Sequence, residues 1–201
     1  MQQVSNRGFD LWPGRLDPAA QRELLDAVLT RLLAAPPYRP LTPGGKPMSV
    51  EMSNFGPLGW VSDARGYRYQ ETHPLSGEPW PDIPPMLLAL WAEHGDVARP
   101  PDACLVNIYR EGARLGLHQD RDEADFRWPV LSVSLGDTAV FRLGGVQRGD
   151  PTRSIRLASG DLCRLAADRR LAFHGIDRIL AGSSTLVAGG GRINLTMRCA
   201  R

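Results

Sequence analysis

The stretch Gly191-Arg192-Ile193-Asn194-Leu195-Thr196-Met197-Arg198 alternates strictly between two kinds of side chain. Successive residues of a strand point to opposite faces, so Arg192, Asn194, Thr196 and Arg198 share one side and Ile193, Leu195 and Met197 the other. One face is apolar and fits a core, while the other offers two guanidinium groups. An ordinary half-buried surface strand has the same pattern. The difference lies upstream, where His118-Gln119-Asp120 and the isolated His174 supply two imidazoles and a carboxylate. That is the ligand set of a facial non-haem iron(II) centre with open positions. A strand presenting arginines to an anionic co-substrate beside such a metal forms one chemical unit.

His118 and Asp120 are one residue apart, so in an extended segment both side chains project to the same side, as two ligands of one ion require. A lone HxD is weak evidence, since chance matches are frequent. Between it and His174 run short β-type segments at Val130 to Leu135, Thr138 to Leu143, Ser154 to Leu157 and Asp161 to Leu165. Turns at Gly144-Gly145, Gly149-Asp150-Pro151 and Gly160-Asp161 separate them, so these strands can wrap a barrel and return the distant histidine to the HxD pair. Cys104 to Tyr109 is expected as a further strand, with Leu105, Asn107 and Tyr109 on one face. An amide and a phenol that face inward need partners, and a bound ligand supplies them.

The 201 residues are expected to form one domain, 1–201, of β-rich α+β class: 42% hydrophobic and 23% charged content is ordinary for a globular chain, and 21 Gly with 17 Pro favour turns and short strands. A net charge of +2 does not by itself indicate a nucleic-acid partner. Cys104, Cys163 and Cys199 have no CxxC spacing and suit free thiols in a reducing compartment. With no spanning apolar run and no signal-peptide pattern, a cytoplasmic monomer without membrane association is expected.

Residues 1–16 are expected as an irregular arm contributing an edge strand. A helix follows, capped by Asp17 with Pro18 at its first position, burying Leu24, Leu25, Val28, Leu29 and Leu32 before Pro36-Pro37. A second helix is expected near Met86 to His94, burying Leu87, Leu90 and Trp91. His73 and His94 lack ligand spacing and are expected on the surface. Between the helices, Thr42 to Tyr69 is rich in Gly, Pro and Ser, suggesting a mobile segment of loops and short hairpins. Its Trp60, Tyr67 and Tyr69 serve either as packing or as stacking surfaces for a nucleobase, with Lys46, Arg65 and Arg68 interleaved to meet phosphates.

Together these stretches resemble one family. Asn107-x-Tyr109, His118-Gln119-Asp120-x-Asp122-Glu123, Ser132-Val133-Ser134-Leu135-Gly136, His174-Gly175 and Arg192-x-Asn194-Leu195-Thr196-x-Arg198 look like the AlkB family of iron(II)- and 2-oxoglutarate-dependent dioxygenases. Thr42-Pro43-Gly44-Gly45, Met48-Ser49-Val50 and Leu58-Gly59-Trp60 extend the likeness over roughly residues 40–198. The resemblance implies a double-stranded β-helix, or jelly-roll, core at about 102–198, flanking N-terminal helices and a nucleotide-recognition lid at about 42–70. It implies His118, Asp120 and His174 as iron ligands, and Asn107, Tyr109, Arg192, Asn194 and Arg198 around 2-oxoglutarate, with Arg198 on the distal carboxylate. Trp60 and His174 would sandwich a flipped base, with Tyr67, Tyr69, Asp122 and Arg148 matching substrate contacts. The activity implied is demethylation of 1-methyladenine or 3-methylcytosine in DNA, single-stranded or base-flipped, using O2 and releasing succinate, CO2 and formaldehyde.

Two departures stand out. Glu111-Gly112 replaces a frequent Pro-Gly, and Lys46 stands where the family's lid has a tyrosine. Three other activities remain beside the first: the same chemistry on RNA, a zinc hydrolase built on the same two histidines and carboxylate, and a catalytically silent nucleic-acid-binding module.

Overall fold

The computed structural model describes residues 4–6, 8–95 and 98–201. In chain order the elements are β1 (Val4–Asn6), β2 (Phe9–Trp12), α1 (Pro18–Leu32), β3 (Glu51–Phe55), β4 (Gly59–Asp63), β5 (Gly66–Gln70), α2 (Pro85–His94), β6 (Ala103–Tyr109) and β7 (Leu115–His118). They continue with β8 (Val130–Gly136), β9 (Thr138–Leu143), β10 (Arg153–Leu157), β11 (Leu162–Leu165), β12 (His174–Leu180) and β13 (Arg192–Arg198). Two antiparallel sheets face each other, of order β1-β2-β11-β8-β13-β6-β3 and β10-β9-β12-β7, and β4-β5 forms a separate hairpin. This is the expected jelly-roll.

The alternation of β13 does what its pattern predicts. Ile193, Leu195 and Met197 enter a core with Leu24, Leu25, Val28, Leu87, Leu90 and Trp91, so both helices lie on the outer face of the seven-stranded sheet. Asp17 caps α1 by accepting from Ala19 N at 2.9 Å and Ala20 N at 2.8 Å, a bond pattern worth about 1 kcal/mol. Leu29, expected inside, is 48% exposed, since only Leu24, Leu25, Val28 and Leu32 of α1 face the sheet. Between the sheets a second core joins Phe9, Val50, Met52, Ala139, Phe141, Leu143, Leu165 and Ile176, leaving one end of the sandwich to polar side chains.

Three expectations change. The N-terminal arm supplies two strands, β2 pairing with β11 from Leu162↔Trp12 to Leu165↔Phe9, although residues 1–3 and 7 lie outside those described. The segment 42–70 is not loops and short hairpins throughout: β3 pairs along β6 from Glu51↔Ile108 to Phe55↔Cys104, because Met52 and Phe55 are buried core residues. His73 is 3% exposed. Its Nε2 lies 2.9 Å from Pro36 O, and Nδ1 accepts from Leu75 N and Ser76 N at 3.2 Å, so it pins a loop. His94 is held similarly, accepting from Arg15 Nε at 2.9 Å with its ring 4.6 Å from that of Trp12.

A candidate iron and 2-oxoglutarate site

The register of two strands closes the long gap in sequence. In the β12–β7 pair His174 stands opposite His118, and their ring centroids are 4.5 Å apart. Gly175 permits this approach: a Cβ there would lie 2.5 Å from Leu115 O and 2.7 Å from Gly116 O. Asp120 follows β7, and its carboxylate oxygens lie 3.7 Å from His118 Nε2 and 3.8 Å from His174 Nε2. One ligand atom from each residue falls within 4.8 Å of the others.

Both histidines contact a backbone carbonyl through Nδ1, His118 with Gly116 O and His174 with Ala172 O, each at 2.9 Å. Donation there leaves the Nε2 lone pair for a metal. Burial, aided by the neighbouring His118, pushes His174 down to about 4, so near neutrality it is a neutral ligand. Burial alone would raise the Asp120 carboxyl, but Arg198 and the two imidazoles outweigh it and hold it below the usual range. Asp120 and His174 thus stand in the protonation states a divalent ion needs. The set fits iron(II).

The triad opens on a cavity of about 800 Å³ that Asn107, Tyr109, Arg192, Asn194, Thr196 and Arg198 also line. The whole polar face of β13 therefore looks inward. Asn194 donates through Nδ2 to Ser132 Oγ at 2.7 Å, and its Oδ1 accepts from Thr196 Oγ1 at 2.9 Å. Asn107 Oδ1 is buried without a hydrogen-bond partner among the described residues.

The two arginines differ. Arg198 Nη2 lies 3.0 Å from Asp120 Oδ2 and Nε 3.2 Å from Glu123 Oε1, placing it at the metal end. Arg192 is 1% exposed and takes part in no ion pair among the described residues. Its Nη2 donates to Ser134 Oγ at 2.8 Å and Nη1 to Leu157 O at 3.1 Å, and Nε has no partner. Burial lowers its pKa, with Tyr109, Cys163 and Asp161 opposing the shift only in part. Asp120 and Glu123 already claim Arg198, and the unpaired cation is Arg192.

The triad, a buried cation and orphaned polar atoms thus share one cavity. Residues 8–198 match the 2OG-Fe(II) oxygenase superfamily. A Caulobacter vibrioides protein named alpha-ketoglutarate-dependent dioxygenase AlkB homolog is 68% identical over 194 residues, covering 96% of this chain and 88% of that protein. The chain belongs to the AlkB family of these oxygenases. It is a 2-oxoglutarate-dependent dioxygenase, which removes the zinc-hydrolase and silent-module alternatives. The solved structure of OsALKBH1 superposes with a TM-score of 0.85 at 30% identity, covering 98% of each chain. An Arabidopsis thaliana protein named DNA N(6)-methyladenine demethylase ALKBH1A is 38% identical over 117 residues, covering 55% of this chain and 34% of that protein.

Around this AlkB-family site the lid residues divide. Trp60, Tyr67, Tyr69, Asp122 and Arg148 line the cavity. Trp60 lies against Tyr67 with centroids 5.5 Å apart and planes 19° apart, and its Nε1 donates to Asp122 Oδ2 at 2.7 Å. Arg148 lies 4.9 Å over the Phe173 ring. Tyr69 turns inward, donating to Glu123 Oε1 at 2.7 Å. Arg68 is absent from the cavity wall. It sits on the other face of β5 and reaches Asp63 Oδ2 at 2.8 Å, a carboxylate that neighbouring strand positions make available.

Two residues went unassigned from sequence. Glu123 carries no pattern beyond its place after the metal ligand. Arg170 lies in an irregular run, yet its Nη1 donates to Asp120 O at 2.9 Å and Nη2 lies 3.1 Å from Glu123 Oε2. Among the described residues, no helix is long and apolar enough to cross a membrane.

Proposed function

We propose that this chain oxidatively demethylates N-methylated bases of the 1-methyladenine and 3-methylcytosine type in DNA, consuming O2 and 2-oxoglutarate and releasing formaldehyde, succinate and CO2. The observation that carries the co-substrate is Arg192, a buried cation with no carboxylate in ion-pair reach among the described residues, in the same cavity as the triad. A dicarboxylate supplies the missing charge, and a guanidinium suits it by bidentate donation. Asn107 and Tyr109 lie on the strand beside it and complete that end.

His118, Asp120 and His174 hold iron(II), which supplies oxygen activation when bound. Arg198 keeps Asp120 ionised and oriented at the metal end. Trp60, backed by Tyr67, provides a flat surface for a flipped base opposite His174. Asp122 at the mouth attracts a cationic methylated base more than a neutral one, and exposed Arg148 suits a phosphate. DNA is favoured over RNA by the likeness to the Arabidopsis relative, which is named a DNA demethylase. Three buried free cysteines suit a reducing cytoplasm.

The test is anaerobic reconstitution with iron(II), then addition of oxygen, 2-oxoglutarate and a DNA oligonucleotide bearing 1-methyladenine or 3-methylcytosine. Formaldehyde and restored base in step with succinate are expected. Succinate without base repair in any methylated DNA would sink the assignment.

A further inference from the structure

Two hydrogen bonds tie the β4–β5 hairpin to the segment after Asp120. Trp60 reaches Asp122 at the exposed mouth, and Tyr69 reaches Glu123 inside at 2.7 Å. The Glu123 side chain is 2% exposed and stands between two arginines, with Oε1 3.2 Å from Arg198 Nε and Oε2 3.1 Å from Arg170 Nη2. Each arginine in turn holds Asp120. Arg198 Nη2 meets its carboxylate at 3.0 Å, and Arg170 Nη1 donates to its backbone carbonyl at 2.9 Å. Arg170 Nε, bonded to Trp128 O at 2.7 Å, fixes that guanidinium further. Two carboxylates and two guanidiniums balance in a dry place, where loss of one member strands its partners. Glu123 is the member that touches both cations and the lid.

We propose that Glu123 is a positioning residue for the metal site, fixing the Asp120 carboxylate through Arg198 and making its orientation depend, through Tyr69, on the seating of the lid. This rests on the iron-site assignment above. Nucleic-acid binding under the hairpin and metal binding with 2-oxoglutarate are then linked, and each must change the other's affinity by the same factor. The Tyr69 hydroxyl is the part of the hairpin that carries the link, since Trp60 ends at Asp122, which touches neither arginine.

The probe is Co(II) with 2-oxoglutarate under nitrogen, followed by calorimetry and by the d–d absorption of the ion, with and without an oligonucleotide bearing 1-methyladenine. Wild-type protein is expected to bind Co(II) several-fold more tightly when the oligonucleotide is present. Glu123→Gln is expected to weaken Co(II) binding about 10- to 100-fold, the range for residues that orient a ligand, and to alter the absorption band. Tyr69→Phe leaves the four charges intact. With oligonucleotide at a concentration that saturates the variant, the ratio of its Co(II) affinities with and without oligonucleotide is expected to fall to about one. Should Glu123→Gln fail to fold, Tyr69→Phe alone decides. A Tyr69→Phe protein with the wild-type gain, a wild type with no gain, or a folded Glu123→Gln protein with unchanged Co(II) affinity and spectrum overturns the proposal. Wild-type protein that binds no Co(II) overturns the iron-site assignment along with it.

Discussion

Arg192 and Arg198 stand on the same face of one strand, both almost fully buried, and meet opposite surroundings. Arg198 sits between two carboxylates and belongs to the resting protein. Arg192 has hydroxyl and carbonyl acceptors and, among the described residues, no carboxylate within ion-pair reach. Burying a lone cation costs several kcal/mol, whereas a balanced cluster recovers much of that cost. The fold keeps the Arg198 charge for itself, and under the proposed function it holds that of Arg192 ready for a dicarboxylate.

The largest effect is expected where both ends of the cavity lose their purpose. His118→Ala, Asp120→Ala and His174→Ala should each abolish coupled turnover while circular dichroism stays native. Near-normal turnover in any one removes that residue from the ligand set. Arg198→Met should lower unfolding free energy by about 3 to 5 kcal/mol, because Asp120 and Glu123 lose a buried counter-charge; denaturant melts measure this.

Arg192→Met should behave in the opposite way. The metal-free protein should change by no more than about 1 kcal/mol, as burial of an unpaired charge is relieved. Its 2-oxoglutarate affinity should fall about 10- to 100-fold, matching roughly 1.5 to 3 kcal/mol for a charge-assisted bond. Equal losses of stability in the two variants would erase the distinction.

The lid sharpens the contrast between anchored and free groups. Trp60 is held at both ends: its backbone N donates to Asn54 Oδ1 at 3.0 Å and its ring reaches Asp122. Stacking contributes about 1 to 3 kcal/mol per base, so Trp60→Ala should cut repair of methylated oligonucleotides by about one to two orders of magnitude with co-substrate affinity unchanged. Normal repair would reduce Trp60 to packing. Lys46 is exposed in a turn in which Thr42 N donates to its carbonyl at 2.8 Å. Lys46→Ala should shrink the salt dependence of binding by about one counterion, equally for all sequences. An unaltered slope takes it off the binding surface.

Much of the triad was legible because its chemistry coincides with simple periodicities: HxD at strand spacing, an isolated histidine, and short strands between. The inward face of β13 was legible for the same reason. Arg198's partner was not, since Glu123 reaches it from the irregular stretch after Asp120, where no period says which way a side chain turns. His73 and His94 were misplaced because ligand spacing says nothing about hydrogen bonds to backbone across a fold. Arg68 was drawn to phosphate by its neighbours Tyr67 and Tyr69, yet strand alternation turns it the other way, toward Asp63. Composition marked 42–70 as mobile without seeing that Met52 and Phe55 commit its middle to the main sheet.

The pairing of His174 with His118 across β12 and β7 also sets an order of events during folding. The two ligands come from distant segments, and their contact waits on the non-local closures of β9 with β12 and of β6 with β13, the kind of pairing that forms slowly. A half-folded chain offers at most His118 and Asp120, too few to retain an ion against water. Iron(II) held by all three residues would therefore add its binding energy to the native state alone, and its removal would lower the melting temperature.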